Sequence, residues 1–402
     1  MSTLESATVD ELATRRELVS TADRLVPVLA EYADEGERLR RLPDPTVSAL
    51  RDSGMFSLAV PRRYGGHGAG LRTTLEVTER LAHGDASAAW VAMVLTGGAY
   101  MAGMLDEQGR EEIWGVDAHS VVVGSLSPGG SGYRTAEGGL LISGQWPWAS
   151  GAHAADWAAV AVNVVDEERN LVEPVVALVP AHQLTIQDTW HTAGMAATGS
   201  NTLCGEQVAV PAHRVLSIAG VLAGSYADAR PDEPYLRTPL STLAALPLVG
   251  PMIGMASRAL ELTLETAKHK PMSLSVYETL AASPSAQLAV AEAATHIDSA
   301  QLHAHRAADD VDTRVAEHRD LTILDRARVR MDTGIAAIRC RQAVELLLSV
   351  TGAGAFALSN PVQRIWRDLG AASRHAACNP SLSKEIYGRA LLGIEEQPTF
   401  LV

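Results

Sequence analysis

Cysteine is almost missing from this sequence: there are three in 402 residues, Cys204, Cys340 and Cys378, never in C-x-x-C spacing. An odd, scattered set of this kind excludes a disulfide framework or a cysteine-based zinc site. It fits a reducing cytoplasm, where the chain is expected to reside. Positive charge is in deficit as well. A formal net charge of −14 argues against a nucleic-acid or anionic-membrane partner, since both need a cationic surface that releases counterions. An anionic substrate would have to be met by local Lys or Arg. The opening segment MSTLESATVDELATRRELV carries acids where an export signal carries bases and an apolar stretch, so no export is expected. No G-x-G-x-x-G follows a strand-like run, which speaks against a Rossmann unit for a nicotinamide cofactor. Two windows lack charge, Ala86–Leu105 and Thr238–Ser257, but Gly, Ser, Thr or Pro dilute both, and buried helices are expected there rather than membrane spans.

What is present is a globular composition, 47% hydrophobic and 20% charged, in a chain long enough for two or three packed units and a large buried pocket. Residues 1–119 read as helical: Leu18, Ala22, Leu25, Val26 and Leu29 fall near helical spacing, Leu42-Pro43-Asp44-Pro45 breaks the chain and starts another helix, and Gly54 stops it. From about 120 to 225 the pattern changes to short Val/Ile/Leu runs (121–126, 140–143, 157–165, 172–179 and 206–210) punctuated by Gly, Pro, Asn and Asp, which predicts an antiparallel sheet or small barrel. From 226 to 402 long helical patterns return, at 243–269, 285–311, 321–351 and 383–392, and predict a four-helix bundle. The apolar stretches Thr238–Ser257 and Ala343–Val350 exceed what one bundle needs, which predicts a homotetramer or at least a dimer.

This order of helices, β domain and bundle resembles the acyl-CoA dehydrogenase fold, and local motifs agree along nearly the whole chain. LRDSGMFSLAVPRRYGGHGAG (50–70), GDASAAWV (84–91), GGLLISGQWPWASGAHAADWAAV (138–160), GMAATGSNTLCGEQVAVPAHRV (194–215), GAGAFALSNPVQRIWRDLGAASRH (352–375) and YGRALLG (387–393) stand in the family's sequence of segments. The details are similar to the two-component flavin monooxygenases, the branch of aromatic hydroxylases, desulfurisation monooxygenases and amino-sugar N-oxygenases. WPWASG stands where dehydrogenases carry a W-I-T-N-like run. The dehydrogenases place a Glu base shortly after the R-D pair; here Arg367-Asp368 is followed by His375 and Ala376, and a methyl group cannot remove a proton. Glu261 and Glu265 are alternative bases on another helix, but are expected to face solvent.

The resemblance implies that a separate NAD(P)H-dependent reductase supplies FMNH2 or FADH2, that oxygen adds to give a C4a-hydroperoxyflavin, and that one oxygen atom passes to a small aromatic or polyketide-like substrate. N-oxidation of an amine or nucleotide-linked amino sugar, acyl-CoA dehydrogenase-like oxidation, and a non-catalytic flavin scaffold remain as alternatives. The implied catalytic residues are His375, which would hold the peroxide and exchange a proton, and Ser150, whose hydroxyl would meet flavin N5. The competing readings are a helix C-cap for His375 and a turn cap for Ser150. Trp148, Ser125, Gln287, Gly352 and Gly354 are expected to hold the flavin, Ser125 in a Gly-rich turn able to bind anions and the last three on the flavin tail of a neighbouring subunit. Lys268 and Lys270 are possible phosphate partners. Trp90, Trp190 and Asn379 are expected in the substrate pocket. No metal site is expected: His67, His83, His153, His191 and His269 lack ligand spacing, and His303 and His305, two apart on a helix, do not share a face.

Overall fold

Caps and breakers in the sequence set where the first helices begin and end. In the computed structural model, which describes residues 3–227, 230, 232–399 and 401–402, α1 (Thr3–Leu39) is followed by α2 (Asp44–Asp52), with Pro45 in its first turn and Gly54, at φ 77°, closing it. Helices α3 (Leu71–Leu81), α4 (Ala86–Gly103) and the short α5 (Glu107–Arg110) complete the helical N-terminal part. Asp85 caps α4 by accepting the Ser87 N–H.

The middle of the chain forms one mixed sheet of seven strands: β1 (Val122–Arg134), β2 (Leu140–Ala149), β3 (Trp157–Val165), β4 (Leu171–Pro180), β5 (Thr185–Gln187), β6 (Asn201–Val210) and β7 (Val215–Ser217), in the order β5-β6-β2-β1-β3-β4-β7. The expected all-antiparallel pairing is corrected at one place. β1 lies between β2 and β3, and because β2 and β3 run in opposite directions, β3 is parallel to β1.

After α6 (Ile218–Leu222) and α7 (Leu240–Leu243), the C-terminal bundle is built from α8 (Val249–Ala267), α9 (Pro284–Ala316), α10 (Ile323–Thr351), α11 (Pro361–Ala372) and α12 (Pro380–Leu391), with α10 central and packed on the other four. The fold is thus mainly α with a central β domain, in the acyl-CoA dehydrogenase arrangement.

Both charge-free windows lie inside the molecule, with 89% of the apolar window in α4 and 83% of that in Leu240–Ala267 buried. Ala343, Val344, Leu347 and Leu348 are likewise core residues of α10. These stretches therefore supply no surface for another subunit, and the predicted oligomer needs a different basis.

Trp146 ties the sheet together. Its ring is fully buried, its Nε1–H donates to the Ala161 carbonyl at 2.7 Å, and a Cβ on Gly130 would lie 2.5 Å from the indole. Trp146→Phe should lower stability by about 1–3 kcal/mol, because the Ala161 carbonyl loses its buried donor. Trp146→Ala should cost about 3–5 kcal/mol. Urea denaturation of the two variants tests that ranking.

Candidate active site

Strand β2 ends in an irregularity that turns side chains outward. Its register with β6 slips between Trp146 and Ala149, and within the slip Trp148 adopts φ 60° with its side chain 63% exposed. A bulky aromatic in the left-handed region and in solvent is costly on both counts, and a bulge that re-aims a side chain is a recurrent feature of functional sites. Gly151 follows at φ 82°, and a Cβ there would meet Val91 of α4 at 2.8 Å. This close approach seats the end of β2 on α4.

Ser150, between these two, is buried and heads a chain of hydroxyls. Ser150 Oγ lies 2.6 Å from Ser200 Oγ, which lies 2.7 Å from Thr198 Oγ1, which donates to the Met195 carbonyl at 2.8 Å. The carbonyl can only accept, so Thr198 spends its proton there. Ser200 must then donate to Thr198, and Ser150 to Ser200. The outward lone pairs of Ser150 are therefore left as acceptors. This hydroxyl does not cap the turn; the turn is closed by backbone bonds from Ser150 N to the Trp148 carbonyl and from Gly151 N to the Thr198 carbonyl.

The anion-binding turn expected around Ser125 is corrected. The segment runs as strand β1, with a shift against β3 between Ser125 and Gly130. The glycines admit Trp146 and the β2 backbone: a Cβ on Gly129 would fall 2.0 Å from the Gln145 carbonyl. The Ser125 hydroxyl is buried and donates to the Pro147 carbonyl at 2.7 Å, bracing the Trp148–Ser150 segment from behind.

The opposite wall comes from α4 and the turn after α11. Trp90 of α4 stands edge-on to the His375 ring, with centroids 6.0 Å apart. His375 does cap a turn, but not as a cation: its Nδ1 accepts the Ala377 N–H at 3.2 Å. That bond assigns Nδ1 as the lone-pair nitrogen and leaves the proton on Nε2. The residue is exposed, yet packed closely enough that desolvation, aided by the nearby Arg330 charge, pulls the imidazole pKa below its usual value and keeps it neutral. Asn379, in the same turn, spends its Oδ1 on the N–H groups of Ser381 and Leu382 at the start of α12.

One buried carboxyl joins the two walls. Asp368 of α11 accepts the Met195 N–H at 2.5 Å, and Met195 in turn carries the carbonyl that ends the hydroxyl chain. A Cβ on Gly194 would fall 2.1 Å from the Arg367 carbonyl, so the loop lies directly on α11. Trp190 anchors the same loop: its Nε1 donates to the Met195 carbonyl at 2.9 Å and its backbone N to Asn201 Oδ1 at 2.9 Å. Ser200, Thr198, Asp368 and Arg330 are the site residues that sequence reasoning missed; of these only Asp368 carried a signal, as half of the R-D pair.

Gln287, Gly352 and Gly354 gather elsewhere, at an exposed end of the bundle. Lys270 donates to the Thr351 carbonyl at 2.5 Å and its Nζ would lie 3.2 Å from a Cβ on Gly354, while the Leu280 N–H bonds the Lys270 carbonyl and Gln287 bonds the Ala281 carbonyl. Lys268 is exposed on the adjoining turn. His303 and His305 pair separately with Asp332 and Glu79. Among the described residues no group of three or more His, Cys, Asp or Glu is arranged to hold a metal ion.

Comparison with known proteins gives a consistent picture. The family model described as acyl-CoA dehydrogenase, N-terminal domain, matches residues 9–113, and the one described as acyl-CoA dehydrogenase, C-terminal domain, matches 246–380. The chain is 32% identical, over 96% of its own length and 97% of the relative's, to the flavin-dependent monooxygenase oxygenase subunit HsaA of Mycobacterium tuberculosis (strain ATCC 25618 / H37Rv). It is 31% identical, over 94% of each chain, to the oxygenase component of the FADH2-dependent resorcinol hydroxylase of Rhizobium sp. (strain MTP-10005). The solved structure of XiaF from Streptomyces sp., in complex with FADH2 and glycerol, superposes with a TM-score of 0.93 at 32% identity, covering 97% of this chain and 98% of that one.

Burial pushes the Asp368 pKa up to about 7, and Asp85 nearby adds to the rise; the Met195 N–H, Arg364 and Arg367 oppose it. The two arginines are drawn elsewhere, Arg364 to Asp34 and Arg367 to Glu37. A folded-state pKa above the unfolded value of 3.8 means that the folded protein binds the extra proton. The contribution of Asp368 to stability is therefore complete below pH 3.8 and is lost as pH rises through about 7. Asp368→Asn keeps the acceptor and removes the charge. It should raise the melting temperature at pH 8 and flatten its decline between pH 4 and 7; an unchanged pH profile would refute this assignment.

Proposed function

This chain belongs to the acyl-CoA dehydrogenase family, on its branch of flavin-dependent monooxygenase oxygenase subunits, and from that premise we propose that it hydroxylates a small aromatic substrate. Reduced flavin is its cofactor, delivered by a separate NAD(P)H-dependent reductase, and dioxygen is its oxidant. When bound, the reduced flavin supplies the two electrons that let one oxygen atom enter the product while the other leaves as water.

The observation that carries the reading is the direction of the hydroxyl chain behind Ser150. Reduced flavin bears a hydrogen on N5 and donates there, whereas oxidised flavin presents a lone pair. Ser150, with its proton committed toward Ser200, offers an acceptor and so fits the reduced ring. The exposed indole of Trp148 supplies a flat apolar surface beside it. Across the site, His375 offers a neutral Nε2–H, a donor that can hold an oxygen and give up or regain a proton near neutral pH. Trp90 and Asn379 flank that imidazole and belong to the substrate side.

A dehydrogenase reading needs a carboxylate base. Position 376 is alanine, and Glu261 and Glu265 are exposed, Glu261 being engaged by Arg258 and His83.

We further propose a homotetramer in which Gln287, Gly352, Gly354 and Lys270 of one subunit hold the flavin tail of another. Supporting this, Leu274, Val276, Leu288 and Leu358 lie exposed on the same segments, at 107%, 92%, 73% and 86% of full accessibility, more apolar surface than a monomer usually leaves to water. Light scattering at micromolar concentration should return a tetramer or a dimer, and a monomer would remove the proposal.

The mechanism is tested on His375 and Ser150. His375→Ala should fold and bind flavin, yet form product about 10²- to 10⁴-fold more slowly while releasing hydrogen peroxide. Ser150→Ala should weaken reduced-flavin binding more than oxidised-flavin binding, by a factor worth about 0.5–1.5 kcal/mol. Product and peroxide yields are measured with chemically reduced flavin and oxygenated buffer. An unchanged product yield in folded His375→Ala protein would end its assigned role.

A further inference from the structure

Arg330 is a cation with no counterion. It lies on α10, which packs on the turn that carries His375, is 4% exposed, and its Nε is sealed from solvent without a hydrogen-bond partner. Among the described residues its guanidinium makes no hydrogen bond or ion pair. The three acids of its own helix are engaged elsewhere: Asp332 bonds His303 and Arg306, Asp325 bonds Arg314, and Glu345 accepts from Trp366. The groups that feel its charge are the neutral His375 imidazole and the Cys378 thiol, and burial holds that thiol at about 12, so it is not a thiolate. Arg330 itself is pulled below the usual arginine range by desolvation, with no carboxylate to restore it.

Burying a guanidinium with neither water nor an anion costs several kcal/mol. Such a group is kept where something anionic completes it. The neighbouring imidazole is exposed and Trp90 stands edge-on to it, which puts an aromatic ring on the residue that feels the Arg330 charge. A planar guanidinium pairs best with the in-plane lone pairs of an anionic oxygen.

We propose that Arg330 is the anion-binding residue of the substrate pocket and selects an aromatic substrate carrying an anionic oxygen, a phenolate or a ring carboxylate. This rests on the aromatic-hydroxylase reading for the ring, and on the unpaired guanidinium for the charge. With the anion on Arg330, the ring lies against Trp90 and the substrate oxygen is within the field of the neutral His375. Neutral aromatics of the same shape leave the cation unpaired and are rejected.

The test is equilibrium binding to the purified full chain without flavin or oxygen, so its outcome is independent of whether the protein is a monooxygenase. The probes are 4-nitrophenol above its pKa, 4-nitrobenzoate, and the neutral 4-nitroanisole, read by absorbance shift and quenching of tryptophan fluorescence. Wild type should bind at least one of the two anions about 10- to 100-fold more tightly than the anisole, the range of a charge-assisted hydrogen bond. Tighter phenolate binding assigns the subsite to phenolates, and tighter benzoate binding assigns it to carboxylates. Arg330→Met should lose the preference while melting at the same temperature as wild type or higher, and Arg330→Lys should keep part of it. No anion preference in wild type overturns the proposal whatever the variants do. A preference that survives in Arg330→Met, or a collapse of that variant's folding, overturns it as well, because either places the function of the cation elsewhere.

Discussion

The hydrogen bond from the Met195 N–H to the buried Asp368 carboxyl is the joint on which the site depends. The loop from Trp190 to Ser200 has only a single 3-10 turn, Ala196–Thr198, and it belongs to the β domain while its floor is a helix of the bundle. Asp368 fixes it at one point, the missing Cβ of Gly194 lets it lie flat on α11, and Trp190 closes it on itself. Met195 then presents a carbonyl whose only possible role is to accept. That single constraint propagates outward: it orients Thr198, then Ser200, then Ser150, so that the polarity of the outermost hydroxyl is decided at a carbonyl three hydroxyls away from where it acts.

The buried acids and the buried base in this region are solved in opposite ways. Burial pushes the pKa of Asp368 up to about 7 and that of Asp85 up to about 6, so each takes up a proton at a higher pH than an exposed carboxyl does. The carboxyl of Asp85 caps α4, and α4 carries Trp90 and Val91 to the two walls of the site. Arg330 has no such escape, because a guanidinium keeps its proton at any working pH. The His375 imidazole is held below its usual pKa by desolvation first and by the Arg330 charge second.

The broad fold was legible because it rests on local signals. Periodicity switches at about 120 and 225, prolines stand at helix starts, and Gly54 stands at a helix end. The candidate site came from positions that the resemblance supplied: Ser150 and Trp148 lie at the end of β2, His375 lies against Trp90, and Gln287, Gly352 and Gly354 group at the far end of the bundle. The misreadings share a cause. The glycines near Ser125 were read as a turn because sequence shows a missing side chain but not what approaches it; the approaching groups are Trp146 and Gln145, at least 15 residues on. Thr238–Ser257 and Ala343–Val350 were read as surplus apolar surface because the pattern does not reveal that α10 is enclosed by four other helices. The hydroxyl chain was invisible for the same reason: Ser150 and Ser200 are neighbours only because β2 and β6 pair.

Arg330 brings the composition back into the argument. A surface with a net charge of −14 repels anions at long range, but that repulsion is screened by salt within about 10 Å. What decides whether an anionic ring is retained is the charge at the bottom of the pocket, where screening is weak and the local dielectric is low. Most arginines around the site cannot serve: Arg40 is held by Asp188, Arg41 by Asp44, Arg306 by Asp332, Arg364 by Asp34 and Arg367 by Glu37. Each of these pairs satisfies its arginine with a carboxylate. Arg330 differs in having no such partner, so its field is spent on whatever enters beside His375. On the proposed reading an acidic protein can hold an acidic substrate: acids neutralise several of the neighbouring arginines, whereas Arg330 is buried with no carboxylate partner among the described residues.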